Sequence, residues 1–329
     1  MRTTNKPLFI VYVIFLFVIH EESDCQEEYI FTPMQITNNQ YLYNPAIAGM
    51  KKFGRLSLAV QQSLLRIEGS PRTQLLSFQN RLMKNVNRLT LKRGYKTEST
   101  NIGIGSYIFN DVDGPFRNIG FSASFTYHID LNSKKTEQVS FGLGPVILVE
   151  SVNNQYINTQ NDPLFHSDKL RGIAPDFSAG IQYFGKYAYL GISSVQIFAQ
   201  PMRYNDELTN SKNTRKIFVN GGGKYELMRR FYVEPSFLFY SLDGELSEFG
   251  NYFDVNLAVY YSFLKITGTY RNNESVSVSG IAQFDHFFVE VAYELPFGKT
   301  FLYNYGYSKL AIGYNFGKGP NRFKDQRYW

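Results

Sequence analysis

From Ile119 to Asp130 the chain alternates without a break: Ile119, Phe121, Ala123, Phe125, Tyr127 and Ile129 fall on one side, and Gly120, Ser122, Ser124, Thr126, His128 and Asp130 on the other. Successive side chains of a strand point to opposite faces of its sheet, so this segment has one apolar and one polar surface. The period returns in Phe253, Val255, Leu257, Val259, Tyr261 and Phe263, and again in Leu310, Ile312, Tyr314 and Phe316. No segment beyond the N-terminal region offers the ~20 apolar residues of a spanning helix. Any membrane crossing must therefore be made by strands, and in lipid only a closed sheet satisfies every backbone N–H and C=O.

Alternation and turn residues together predict an all-β fold, a transmembrane antiparallel outer-membrane β-barrel of about 14 strands. The predicted strands are 54–65, 71–83, 101–110, 116–130, 137–151, 176–184, 187–199, 214–227, 231–242, 250–262, 265–272, 275–284, 287–295 and 306–317. Loop lengths test this count, because such barrels have short periplasmic turns and longer outer loops. Starting from a periplasmic N-terminus, the inner turns Gly185-Lys186, Met228-Arg229-Arg230, Phe263-Leu264 and Asp285-His286 are short, while the outer loops 152–175, 200–213, 243–249 and 296–305 are mostly longer. The basic stretch 84–100 is too long for such a turn and implies a further strand pair or a periplasmic insertion. The competing fold is a secreted β-sandwich, but sandwich strands of ~5–6 residues have no reason to keep this loop parity. Composition favours the barrel: 25 Tyr and 29 Phe accompany a single Trp, while mean hydropathy is only −0.27. A wall apolar outside, wet inside and ringed by aromatics has this profile.

Arg2 and Lys6 precede an apolar run, Leu8 to Ile19, and a polar stretch, His20 to Asp24. That order is that of an export signal, residues 1–25, cleaved between Cys25 and Gln26. The alternative is a lipoprotein acylated at Cys25, but Glu22-Ser23-Asp24 lacks the apolar and small residues of such a site. Cleavage raises the formal charge from +6 to +7 and removes the one cysteine, leaving no disulfide, thiolate or cysteine-bound metal. Residues 26–53 then form a periplasmic arm, 54–317 the barrel, and 318–329 a periplasmic tail. The basic residues are scattered rather than gathered into a stripe, which disfavours nucleic acid as a partner.

Motifs for chemistry are incomplete. Gly298-Lys299-Thr300 ends like a phosphate-binding loop, yet the required glycine is replaced by Tyr293. Gly221-Gly222-Gly223 lies in a predicted strand, so a bend in the wall or close approach by a lumen plug explains it better than a nucleotide. His128, His166 and His286 have no ligand spacing. No nucleophile elbow is present, so neither cofactor, metal nor enzymatic activity is expected. A triad folded across strands stays open, because only geometry reveals one.

Four short motifs occur in order: Asn44-Pro45-Ala46-Ile47-Ala48-Gly49 after an aromatic stretch, Gly69-Ser70-Pro71-Arg72-Thr73, Asn110-Asp111-Val112-Asp113-Gly114-Pro115, and Thr269-Tyr270-Arg271 before Val276 to Gly280. In this order the chain resembles the PorP/SprF family of type IX secretion system membrane proteins, over nearly the whole mature length. Ser308-Lys309-Leu310 stands where that family often has His-Glu-Ile, and the basic tail Lys318 to Trp329 is a further departure. The resemblance implies an outer-membrane component or accessory that delivers or anchors a large exported protein such as a gliding adhesin, with membrane lipid around it and periplasmic ring proteins as further partners. It marks Asn44, Pro45, Ala46, Gly49, Asn110, Asp111, Gly114 and Pro115 as family positions. Turn chemistry alone also accounts for Asn44-Pro45, as a turn from the arm into the barrel, and for Gly114-Pro115, as a tight outer loop. The alternative function is a passive or substrate-selective diffusion channel; a barrel hydrolase is a third reading with no residue to carry it.

Overall fold

The alternating segments pair antiparallel with their chain neighbours, and the sheet closes where its last strand meets its first. The computed structural model describes residues 39–51, 53–63, 70–86, 96–133, 136–153, 169–204, 207–212, 214–241, 252–272, 274–297 and 306–316. All fall in the unit Phe31–Trp329; the unit Met1–Ile30 lies outside them. The expected export signal and the tail 318–329 therefore lie outside the described residues.

The strands are β1 (Gly54–Ser63), β2 (Arg72–Val86), β3 (Lys96–Asp113), β4 (Phe116–Asp130), β5 (Gln138–Asn153), β6 (Lys169–Phe184), β7 (Ala188–Val195), β8 (Pro201–Tyr204), β9 (Glu207–Lys212), β10 (Lys216–Gly223), β11 (Tyr225–Met228), β12 (Phe231–Ser241), β13 (Tyr252–Tyr261), β14 (Leu264–Arg271), β15 (Ser275–Phe284), β16 (Phe287–Pro296) and β17 (Tyr307–Phe316). β10 and β11 are one stave interrupted at Lys224, and β8–β9 is a hairpin attached to β6 through Gly172↔Tyr204 and Ile173↔Arg203. The ring thus has 14 staves, as the alternation predicts. Its seam is the β1–β17 ladder, from Gly54↔Phe316 to Ser63↔Tyr307.

Several bounds differ from the expected ones. β6 begins at Lys169 rather than 176, because Gly172 and Pro175 read as loop residues. Pro175 falls between the stretches of β6 that pair with β7 and with β8, where that flank of the ladder is interrupted and a missing N–H is tolerated. The stretch 84–100 holds no extra pair among its described residues. Instead β2 and β3 continue past a register shift at Arg81/Met83, from Met83↔Ser99 to Val86↔Lys96; residues 87–95 lie outside the description.

Short turns at 185–187, 229–230, 262–263 and 285–286 gather at the end where β1 begins. Connections at the other end are longer, except Gly114-Pro115 and 272–274, while the connections 87–95 and 131–137 are longer ones at the short-turn end. Exposure follows parity on most staves, though all four residues of β11 are exposed. On β16, Phe287, Val289, Val291, Tyr293 and Leu295 face outward, while Phe288, Glu290, Ala292 and Glu294 are buried within the ring. The outward aliphatic band is bounded at the short-turn end by exposed aromatics on many staves, among them Tyr127, Phe141, Tyr183, Tyr225, Tyr261 and Phe287. Phe121, Tyr270 and Tyr293 lie toward the opposite end. Amphipathic rings settle where hydrocarbon meets headgroups, so these positions frame the lipid-facing zone.

Val291 is central on β16 and 59% exposed. The substitution Val291→Arg is expected to lower folding stability in vesicles by about 2–4 kcal/mol, measured by denaturant titration. A change near zero would place this face in water.

Candidate functional site

The segment before β1 does not form an arm outside the barrel. Residues Asn39 to Met50 make two single 3-10 turns, Gln40–Leu42 and Pro45–Ile47, and nearly all their side chains are buried. Pro45 suits the first position of its turn, where an N–H would lack a partner. Asn44 caps that turn: its Oδ1 accepts from the Ala46 N–H at 3.0 Å. The backbone satisfies itself further through Leu42 N–H to Asn39 O, Ile47 N–H to Asn44 O and Met50 N–H to Ile47 O, at 3.0–3.1 Å. Such internal pairing lets an irregular segment sit in a water-poor interior.

Its side-chain partners belong to inward faces of the staves, and Tyr41 reaches a backbone carbonyl of β3. Asn44 Nδ2 donates to Gln182 Oε1 on β6 at 2.9 Å, Thr126 Oγ1 on β4 donates to the Pro45 carbonyl at 2.7 Å, and Tyr41 OH donates to the Ser106 carbonyl on β3 at 3.1 Å. Gln40 Nε2 donates to Tyr189 OH on β7 at 3.1 Å, and the Tyr43 ring packs 5.4 Å from Phe218 on β10. Burial holds the Tyr41 and Tyr43 phenols well above their ordinary pKa, so both stay neutral.

Inward glycines make the room. A Cβ at Gly142 would lie 2.2 Å from Ala46 N and 2.3 Å from the Pro45 carbonyl carbon; one at Gly103 would lie 2.2 Å from Ala48 O; one at Gly180 would lie 2.2 Å from Asn44 Oδ1. Three strands thus offer a groove in which only hydrogen atoms separate wall from plug. Of the expected periplasmic arm 26–53, residues 39–51 and 53 are described, and the run Asn39–Met50 is a lumen plug rather than an arm. Enclosure in a ring of remote strands, invisible to local turn chemistry, is the reason. Asn44-Pro45 is indeed a turn, but a turn inside the barrel.

The family positions fall into two separate groups. Asn44, Pro45, Ala46 and Gly49 belong to the plug, with Gly49 at φ +68° against the backbone of Asn80 and Gly103. Asn110, Asp111, Gly114 and Pro115 belong to the β3–β4 hairpin at the other end. There Asn110 Oδ1 accepts from Arg117 Nε at 2.7 Å, and Asp111 Oδ1 accepts from Thr73 Oγ1 at 2.5 Å. Gly114 takes φ +56° in the two-residue turn between Asp113 and Phe116, followed by proline at its favoured negative φ.

Other lumen groups escape motif reading. Arg271 makes a bidentate pair with Asp254, 2.8 Å at both contacts, and stacks 5.4 Å from the Tyr240 ring. Lys309 Nζ donates to Glu290 Oε1 at 2.8 Å. Strand parity is the signal that could have found them, since Asp254, Arg271, Glu290 and Lys309 all lie on inward positions. Gly221 and Gly222 are crowded by the rings of Phe237 and Tyr189 rather than by the plug, and the stave is interrupted just after Gly223. His128 Nδ1 lies 2.7 Å from Ser140 Oγ, but both side chains are fully enclosed behind the plug. Among the described residues no three His, Cys, Asp or Glu side chains converge to hold a metal ion; His166 and the triplet 298–300 lie outside them.

A family model described as type IX secretion system membrane protein PorP/SprF matches residues 26–314. No curated protein matches the sequence. Among solved structures, the Ralstonia pickettii toluene transporter TbuX is similar at TM-score 0.50 and 9% identity, covering 89% of this chain and 95% of that one. A triple mutant of the Rhodopseudomonas blastica porin is similar at TM-score 0.32 and 9% identity, covering 80% of this chain and 99% of that one. At such identity the likeness to TbuX concerns the barrel fold.

Asn44→Ala removes both the turn cap and the partner of buried Gln182. It is expected to lower stability by about 1–3 kcal/mol and to expose Asn39–Met50 to protease in detergent. Unchanged proteolysis together with unchanged unfolding would show that Asn44 does not hold the plug.

Proposed function

Because the chain belongs to the PorP/SprF family of type IX secretion system membrane proteins, we propose that it serves as an outer-membrane accessory of that pathway. In this role it delivers or anchors one large exported surface protein, such as a gliding adhesin, after its own export with residues 1–25 removed. The observation that carries this reading over a diffusion channel is the plug. Asn39–Met50 occupies part of the short-turn half of the lumen as hydrogen-bonded, tightly fitted chain, and a pore fitted with such a stopper is poorly suited to passive flux. The working surfaces are then the two ends of the barrel. At the long-loop end, 152–175 and the β8–β9 hairpin within 200–213 offer contacts to the exported partner, and residues 154–168 of the former lie outside the described part. At the periplasmic end, the β2–β3 extension and the tail 318–329 offer contacts to secretion-ring proteins. No catalytic step enters this proposal, and the enclosure of His128 and Ser140 supports leaving it out.

Two measurements test it. Purified protein in planar bilayers is expected to be electrically silent, and Gly142→Val, whose side chain collides with Pro45 and Ala46, is expected to raise conductance by dislodging the plug. A steady open pore in the wild type would favour the channel. In cells, joint shortening of 154–168 and 200–213 is expected to release the exported partner into the medium while the barrel stays folded; full surface retention would refute the anchoring role.

A further inference from the structure

Where the plug meets β6, β7 and β10, the wall buries polar groups beside one another. The register aligns Gln182 with Gly191 and Gly191 with Asn220; one inward position nearer the long loops, it aligns Gly180 with Ser193 and Ser193 with Phe218. All six of these residues are buried on the lumen side. Two are glycine, so the side chains next to them lean over bare backbone. A Cβ at Gly191 would lie 1.9 Å from Gln182 Oε1 and 2.8 Å from Asn220 Oδ1, and one at Gly180 would lie 2.2 Å from Asn44 Oδ1 and 3.0 Å from Ser193 Cβ. Gln182, Asn220, Ser193 and the plug residue Asn44 therefore share one niche.

One bond inside the niche is direct: Asn44 Nδ2 donates to Gln182 Oε1 at 2.9 Å. Gln182 Nε2, both side-chain ends of Asn220 and the Ser193 hydroxyl have no hydrogen-bond partner among the described residues, although Gln182, Asn220 and Ser193 are only 0%, 1% and 4% exposed. A buried polar group without a partner forfeits the hydration it had when unfolded and gains nothing in return. Such groups therefore find partners in the chain or in ordered water. Turning either amide end for end makes one new bond at best and still leaves amide donors and the hydroxyl unmet.

We propose that this niche is a binding site for ordered water, which links the Asn44–Gln182 contact of the plug to Asn220 and Ser193 of the wall. The chemistry of the groups selects the ligand. Two neutral amides and a hydroxyl present donors and acceptors together, as a molecule that donates two bonds and accepts two requires. An ion would call for charge, and none of the six wall positions carries a charged side chain. Bridging water holds such a contact nearly as well as direct bonds do. The plug is thus seated in two ways. Against Gly103 and Gly142 it fits backbone to backbone; against β6, β7 and β10 its seat is wet, and the Asn44–Gln182 bond can be exchanged for bonds to water already in place.

Water-edited solid-state NMR of the full chain in lipid vesicles tests this. Magnetisation from water is expected to reach the side-chain amides of Gln182 and Asn220 sooner than the backbone amides of Ala46 and Gly142, which belong to the close-fitted side. Denaturant titration of Asn220→Leu gives a second readout, one of sign. With water in the niche, the substitution strands Gln182 Nε2 and the Ser193 hydroxyl, and the folding equilibrium constant is expected to fall by about tenfold or more. A dry niche would give the opposite sign, because leucine then replaces two unpaired polar atoms with apolar ones. If Asn220→Leu lacks the heat-dependent gel mobility of a folded barrel, Ser193→Ala is the variant read, by the same sign. Side-chain amides no faster than those of Ala46 and Gly142, or a folded variant of unchanged or raised stability, would overturn the proposal.

Discussion

In hydrocarbon, a backbone N–H or C=O without a partner costs several kcal/mol, and no water is present to supply one. The β1–β17 ladder answers that constraint, because it leaves neither the first nor the last stave with an unpaired edge. Closure in turn imposes parity: once strands form a ring, each residue faces either lipid or lumen. A register slip by one residue would send Glu290 and Lys309 outward and Val291 and Leu310 inward, so the ion pair and the apolar band specify the same alignment.

Closure also creates an interior that has to be filled. Small polar side chains such as Ser140, Ser178 and Ser277 occupy part of it, and some charged groups enter as pairs, Arg271 with Asp254 and Lys309 with Glu290. The remaining short-turn half takes the plug, whose turns consume their own backbone groups and whose side chains meet Gln182, Thr126 and Tyr189. Gly103, Gly142 and Gly180 set the depth at which it sits. A stopper held by hydrogen bonds and close packing, rather than by covalent links, can be stable and still be displaced by a partner that competes for those contacts.

The staves are unequal in height. β2 to β6 span 15–18 residues, whereas β7, β10 and β12 to β17 span 8–11. At ~3.3 Å per residue the taller strands exceed what a tilted crossing needs. β2 and β3 gain part of that length at the short-turn end, from Met83↔Ser99 to Val86↔Lys96, and β5 and β6 gain it at the long-loop end, which carries the β8–β9 hairpin and the β3–β4 turn with Asn110 and Asp111. A family motif located there, far from the plug motif, fits a protein that works at its ends.

Strand number, inward and outward faces and the positions of the short turns were legible in the residues, because alternation is local and lipid enforces it at every second position. Val255 and Leu257 face lipid while Asp254 and Ala258 face the lumen, as the period alone requires. The early start of β6 was hidden by Gly172 and Pro175, whose local preferences the ladder overrides. The place of Asn39–Met50 could not be read from its own sequence. Asn44-Pro45 specifies a turn wherever it lies, and what draws that turn indoors is a groove built by glycines 103, 142 and 180 on separate strands. Sequence thus determined which way each strand residue points, a matter of neighbours along the chain; only the closed ring decided which distant residues meet inside it.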